Sequence, residues 1–131
     1  TEGAGAIGLA ALIENKDRFK NMNVGIILCG GNIDSRVLSS ILMRDMIRKG
    51  EISTLTITMP DKPGQLSNIS KLCYEESINI LAVEHSRFTI DLEANSARLN
   101  ITVETKDHNH IKKLILKINS LGYETKIIST Y

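Results

Sequence analysis

Residues 51–131 carry a pattern that few folds accommodate: four short runs of alternating apolar and polar residues, interleaved with two stretches of helical periodicity. Leu55, Ile57 and Met59 alternate with Thr54, Thr56 and Thr58, the period of two of a strand with one buried face. After the turn Pro60-Asp61-Lys62-Pro63-Gly64, Leu66, Ile69, Leu72 and Cys73 share one face of a helix. Ile78, Ile80 and Ala82 then alternate with Asn79, Leu81 and Val83, and Asp91 to Asn95 reads as a hairpin loop. Ala97, Leu99, Ile101 and Val103 alternate with Arg98, Asn100, Thr102 and Glu104. A second helix is predicted from His108 to Leu121, with Ile111, Leu114, Ile115, Ile118 and Leu121 on one stripe. Gly122 stops it, and Tyr123 to Ser129 form the last strand. The order β-α-β-β-α-β is the split βαβ arrangement of ferredoxin-like domains, an α+β fold whose antiparallel sheet carries two helices on one face. The other face meets solvent or a partner. So small a core gains from dimerisation through a sheet edge or face.

Residues 1–50 follow different rules. A helix is predicted over residues 4–15, with Leu9, Leu12 and Ile13 on one face. A polar stretch leads to the apolar run Val24-Gly25-Ile26-Ile27-Leu28-Cys29, typical of a strand covered on both faces in a parallel α/β sheet. Gly30-Gly31-Asn32 ends it. Residues 33–49 are predicted helical, with Asp34 near the start and Arg44, Arg48 and Lys49 near the end, complementing the helix dipole. Gly50 fits the position just past a helix end. Two helices and one strand do not cover both faces of that strand. Residues 1–50 therefore read as a small accessory layer or as the tail of a larger α/β domain, and a start at Thr1 favours the tail.

Composition sets the outer limits. A chain of 131 residues, 42% hydrophobic and 24% charged, is an ordinary globular sequence. Sixteen basic against fifteen acidic residues give +1, which argues against nucleic-acid or membrane-surface partners. No apolar run approaches the roughly 20 residues of a membrane helix, and no secretory signal is visible. Two cysteines fit a reduced, cytoplasmic protein better than a disulfide framework.

The loop Asp61-Lys62-Pro63-Gly64-Gln65-Leu66 opens a helix. The first amides of that helix, at Gly64, Gln65 and Leu66, offer contacts to a carboxylate. Gly64 lets a ligand approach. Asp61 either caps the helix or accepts from an ammonium group. Together these groups suit a free amino acid; on composition alone a well-made helix start is the plainer reading.

Asp-Lys-Pro-Gly-Gln-Leu after a short strand, within β-α-β-β-α-β, resembles an ACT domain, the small-molecule regulatory module of many amino-acid enzymes. The resemblance covers residues 51–131. It implies an effector bound between two subunits, at Asp61, Pro63, Gly64, Gln65 and Leu66 and at the strand after the first helix, where Asn79 falls. Serine-inhibited phosphoglycerate dehydrogenases use polar side chains that fall at Asp61 and Asn79, and another that falls at Met59. An apolar Met59 implies isoleucine or valine as effector in place of serine.

In residues 1–50, Glu2-Gly3-Ala4-Gly5-Ala6 before a helix, and Ile27-Leu28-Cys29-Gly30-Gly31-Asn32-Ile33-Asp34, resemble the C-terminal end of fold-type II pyridoxal-phosphate enzymes, with threonine or serine ammonia-lyases the best fit. That family places Ser or Cys before Gly-Gly-Asn, against the pyridine nitrogen, so the resemblance gives Cys29 this role and sets Glu2 near the ring. A neutral thiol there makes a weaker electron sink than a carboxylate would, which suits β-elimination. The plain alternative for Cys29 is a buried strand-end cysteine. The family's Schiff-base lysine and tetraglycine phosphate loop are not in these residues, and Gly30-Gly31 is too short to cradle a phosphate. The resemblance thus implies a pyridoxal-phosphate-dependent parent enzyme. This part of it has no catalytic residue and binds no cofactor by itself.

His108 and His110, two residues apart, do not share a helix face, and the cysteines lack paired spacing, so no metal site is expected. His85 reads as a strand histidine or an effector contact. The expected organisation is residues 1–50 as the remnant of a catalytic domain and residues 51–131 as an ACT regulatory domain. A homodimer or higher homo-oligomer through the latter is expected. A stand-alone amino-acid-binding regulatory protein is the alternative, and a purely structural dimerisation module a third.

Overall fold

The structure, a computed structural model, describes residues 1–87, 93 and 95–128. The Asp91–Asn95 loop falls largely outside these residues, as does Ser129. The elements are α1 (Gly3–Glu14), α2 (Ser35–Lys49), β1 (Ile52–Pro60), α3 (Gln65–Glu75), β2 (Asn79–Ser86), β3 (Ser96–Glu104), α4 (His108–Ser120) and β4 (Glu124–Ile128). They fall into two compact units, Thr1–Met43 and Arg44–Tyr131, divided inside α2.

In the second unit the antiparallel sheet has the order β2-β3-β1-β4. Alternation decides its two faces. Leu55, Ile57, Met59, Leu99, Ile101 and Val103 bury one side against Ile69 and Cys73 of α3 and Ile111, Leu114 and Ile118 of α4. On the other side Thr54 and Thr102 hydroxyls bond at 3.0 Å, and Thr56 Oγ1 donates to Asn100 Oδ1 at 2.9 Å. Asn100 Nδ2 in turn donates to Glu84 Oε2 at 3.0 Å. Several polar groups of that face thus bond one another.

The helix ends explain themselves locally. Asp34 Oδ1 accepts from Arg36 N and Val37 N, capping α2. At the other end Gly50 has φ 75°, Gly50 N donates to Ile47 O, and Glu51 N donates to Met46 O. This is the paired bonding of a Schellman stop. Asp107 Oδ1 caps α4 through Asn109 N and His110 N. Beyond α3, the buried Glu76 carboxylate pairs with Lys113 Nζ at 2.7 Å and with Lys117 Nζ, joining α3 to α4.

The structure departs from the periodicity in four places. Val24–Cys29 forms no strand: it joins no sheet among the described residues, and Ile27 is 86% exposed. A strand needs a neighbour to bond its edge, and the first unit offers only helices. In β2 the register shifts between Ile80 and Ala82, so Leu81 bulges and simple alternation ends there. Leu121 lies past α4 and is 51% exposed, because the helix ends before its stripe is complete. Leu66 is exposed at the open first turn of α3.

Candidate functional site

The loop after β1 turns through Gly64, which adopts φ 88° as the N-cap of α3 and supplies no side-chain cap. Pro63 precedes the cap, outside the helix. The amides of Gln65 and Leu66 therefore open the helix without a capping side chain. Asp61 does not cap α3. Its Oδ1 lies 3.4 Å from Arg87 Nε, and its N–H donates to Asn95 O at 2.7 Å. Gln65 Oε1 accepts from Tyr123 Oη, and Asn68 Nδ2 donates to the same hydroxyl at 3.3 Å, tying the start of α3 to the start of β4. Met59 is 2% exposed within the core. It faces the helices, so in this structure it is no surface wall for an effector.

Asn79 lies elsewhere. It begins β2 opposite Glu104, and Glu104 lies opposite Ile52 at the start of β1, whereas the 61–66 loop follows the end of β1. The length of β1, roughly 26 Å, separates the two halves of the expected site within one chain. A ligand touching both halves needs two chains.

At the Asn79 end a cleft of about 600 Å³ is lined by Tyr74, Ser77, Asn79, Glu104, Lys106 and His110, with Ile78 and Thr105 beneath. Asn79 Nδ2 donates to Glu104 Oε2 at 3.3 Å. Ser77 has φ 56°, and Ile78 N donates to Cys73 O, so α3 ends in the same kind of stop as α2. His110 Nδ1 accepts from Lys106 N at 3.2 Å, which makes its Nε2 the donor to Glu76 O at 2.9 Å. His108 Nε2 bonds Arg48 O at 3.0 Å. Both histidines thus hold backbone, and no cluster of metal ligands occurs among the described residues. His85 is exposed on β2.

In the first unit, Cys29 and Glu2 come together. The Glu2 side chain lies against Gly30, and a Cβ at Gly5 would stand 1.8 Å from the Cys29 carbonyl oxygen. The start of α1 thus packs on the Cys29–Gly30 backbone. Cys29 is an exposed free thiol, whereas burial pushes the Cys73 thiol up to about 11 and leaves it inert.

Sequence reasoning missed Arg87 and Tyr123, whose roles arise only when β2 and β4 are placed beside the loop. Glu104, Lys106 and Tyr74 were missed as cleft residues. Of these, only Glu104 had a signal, as the cross-strand neighbour of Asn79.

No helix among the described residues is long and apolar enough to cross a membrane. The ACT domain pattern matches residues 53–123. Over 97% of its length the chain is 31% identical to L-threonine ammonia-lyase of Thermotoga maritima, covering 31% of that protein. It is 29% identical to L-threonine ammonia-lyase of Geobacter sulfurreducens, over 97% of the chain and 32% of that protein. It is 25% identical to the biosynthetic L-threonine dehydratase IlvA of Staphylococcus aureus, over 90% of the chain and 27% of that protein. The chain spans about a third of the length of these relatives. With the pattern running from β1 to the start of β4 and the sheet order in place, the chain belongs to the ACT domain family.

Proposed function

We propose that this chain is the regulatory C-terminal part of an L-threonine ammonia-lyase. Residues 1–50 are then the end of its pyridoxal-phosphate domain, and residues 51–131 an ACT domain that binds an amino-acid effector between two copies. The observation that carries this reading is the reach of the similarity, which includes the residues ahead of the ACT pattern. The parent would convert L-threonine to 2-oxobutanoate and ammonia in the cytoplasm; the free thiols of Cys29 and Cys73 suit a reducing compartment.

The residues present fit one edge of the cofactor. Cys29 offers a thiol, able to hydrogen-bond a ring nitrogen, with the Glu2 side chain against the next residue. Pyridoxal phosphate, when bound in the parent, supplies the electron sink for elimination. In the parent, Cys29→Ser should keep substantial activity and Cys29→Asp should lose most of it. Equal activity of the two would remove the proposed role.

The exposed edge supports the dimer. β2 ends the sheet, and Leu81 and Val83 on it are about half exposed. A second copy adding its own β2 antiparallel brings the 61–66 loop of one chain to Asn79 of the other. With Met59 in the core, a preference for isoleucine or valine over serine rests on Leu66, exposed beside the loop. Calorimetry of the chain with L-isoleucine, L-valine and L-serine tests the reading. Binding that Asn79→Ala weakens is expected; no binding of any of the three would overturn it.

A further inference from the structure

Two opposite charges line the Asn79 cleft. Glu104 and Lys106 are both exposed and flank Thr105. Thr105 itself is buried. Its N–H donates to Glu51 O at 2.8 Å, and its hydroxyl donates to Gly50 O. Both flanking residues are thereby set on a fixed backbone. Among the described residues the Glu104 carboxylate has one hydrogen-bond partner, the neutral amide of Asn79, at the long distance of 3.3 Å. No ion pair forms between Glu104 and Lys106, although both line the cleft.

We infer that this cleft holds the charged ends of a free α-amino acid. The ammonium group sits on the Glu104 carboxylate, and the carboxylate accepts from Lys106 Nζ and Asn79 Nδ2. This rests on the amino-acid-binding reading above and names the atoms that perform it. An ammonium group on Glu104 replaces a long neutral hydrogen bond with a charge-assisted one, and it frees the Asn79 amide for the ligand carboxylate. A simple anion would be repelled by Glu104 and a simple amine by Lys106; a zwitterion satisfies both. Asp61, the other carboxylate of the expected site, already faces the Arg87 guanidinium. In a dimer paired through β2, the partner's 61–66 loop closes over the ligand's remaining surface.

Titration calorimetry of the full chain with L-isoleucine, L-valine and L-serine tests this, with inorganic phosphate and isobutylamine as single-charge controls. Glu104→Gln and Lys106→Gln should each weaken amino-acid binding by about tenfold or more. Neither control should bind. Both altered side chains are exposed, so the variants keep the fold. Binding that survives both cleft substitutions but is lost in Asp61→Asn would overturn this inference and leave the interface reading standing. A wild-type chain that takes none of the three amino acids would overturn both.

Discussion

The two units of this chain are both rich in apolar residues, the first the more so, and opposite in what they do with them. In Thr1–Met43 the buried residue is Gly5, while Ile7, Ile13, Ile27, Leu28, Ile41 and Leu42 are each about half exposed or more. In Arg44–Tyr131 the sheet and its two helices close completely over Leu55, Ile57, Leu99, Ile101, Leu114 and Ile118. Apolar residues alone do not make a core. A sheet with one apolar face, covered by two helices whose stripes match it, does.

Dividing the chain tests this contrast with the largest expected effect. A fragment of residues 44–131 should keep a cooperative thermal transition close to that of the whole chain, and residues 1–43 alone should show none by circular dichroism. A cooperative transition in 1–43 would break the comparison.

Truncating single side chains sharpens it. Leu99→Ala should cost about 2–5 kcal/mol in denaturant unfolding, because Leu99 is fully buried between sheet and helices. Leu28→Ala should cost less than about 0.5 kcal/mol.

Glycines with the same backbone sign separate next. At Gly50 a Cβ would stand 2.6 Å from His108 Nδ1 and 2.7 Å from its backbone N, whereas at Gly64 and Gly122 it would meet open space. All three have positive φ. Gly50→Ala should cost about 2–4 kcal/mol from strain plus overlap, and Gly122→Ala only about 1 kcal/mol from strain. Gly64→Val strains the loop with or without a ligand, so on its own it does not report ligand crowding.

The smallest effect is electrostatic. Lys113 first, and then Lys117, hold the Glu76 carboxylate down to about 2. Its folded value is depressed, so its contribution is complete above the unfolded carboxylate value of about 4.3 and disappears as pH falls toward 2. Glu76→Gln should be less stable than wild type at pH 6 and indistinguishable from it near pH 2. The lysines are half exposed, so added salt should shrink the difference.

From residue 51 on, the fold was legible because each strand and helix carries its own period. Leu55, Ile57 and Met59 could face only one way. The Leu81 bulge was not legible, since it depends on how β2 pairs with β3. Val24–Cys29 looked like a strand because local apolarity says nothing about whether a neighbour exists. The site was half legible: Gly64 and the open first turn of α3 follow from the loop, but Asp61 facing Arg87 and Gln65 bonding Tyr123 are tertiary. Met59 was misread as an effector wall because that role came from the family resemblance, whereas its own alternation with Thr58 sets it on the buried face.

Intersubunit complementation tests the central claim, a ligand site shared by two copies, most directly. Gly64→Val damages the loop half and Asn79→Ala the strand half, so neither variant alone should show full L-isoleucine binding by calorimetry. When the two are unfolded, mixed and refolded together, random pairing makes about half the dimers mixed, each with one intact site of two. About a quarter of the wild-type sites should therefore return. Recovery near that level is the result this account predicts. A mixture that binds no better than the separate variants would contradict it, because the loop and Asn79 would then not meet across two chains.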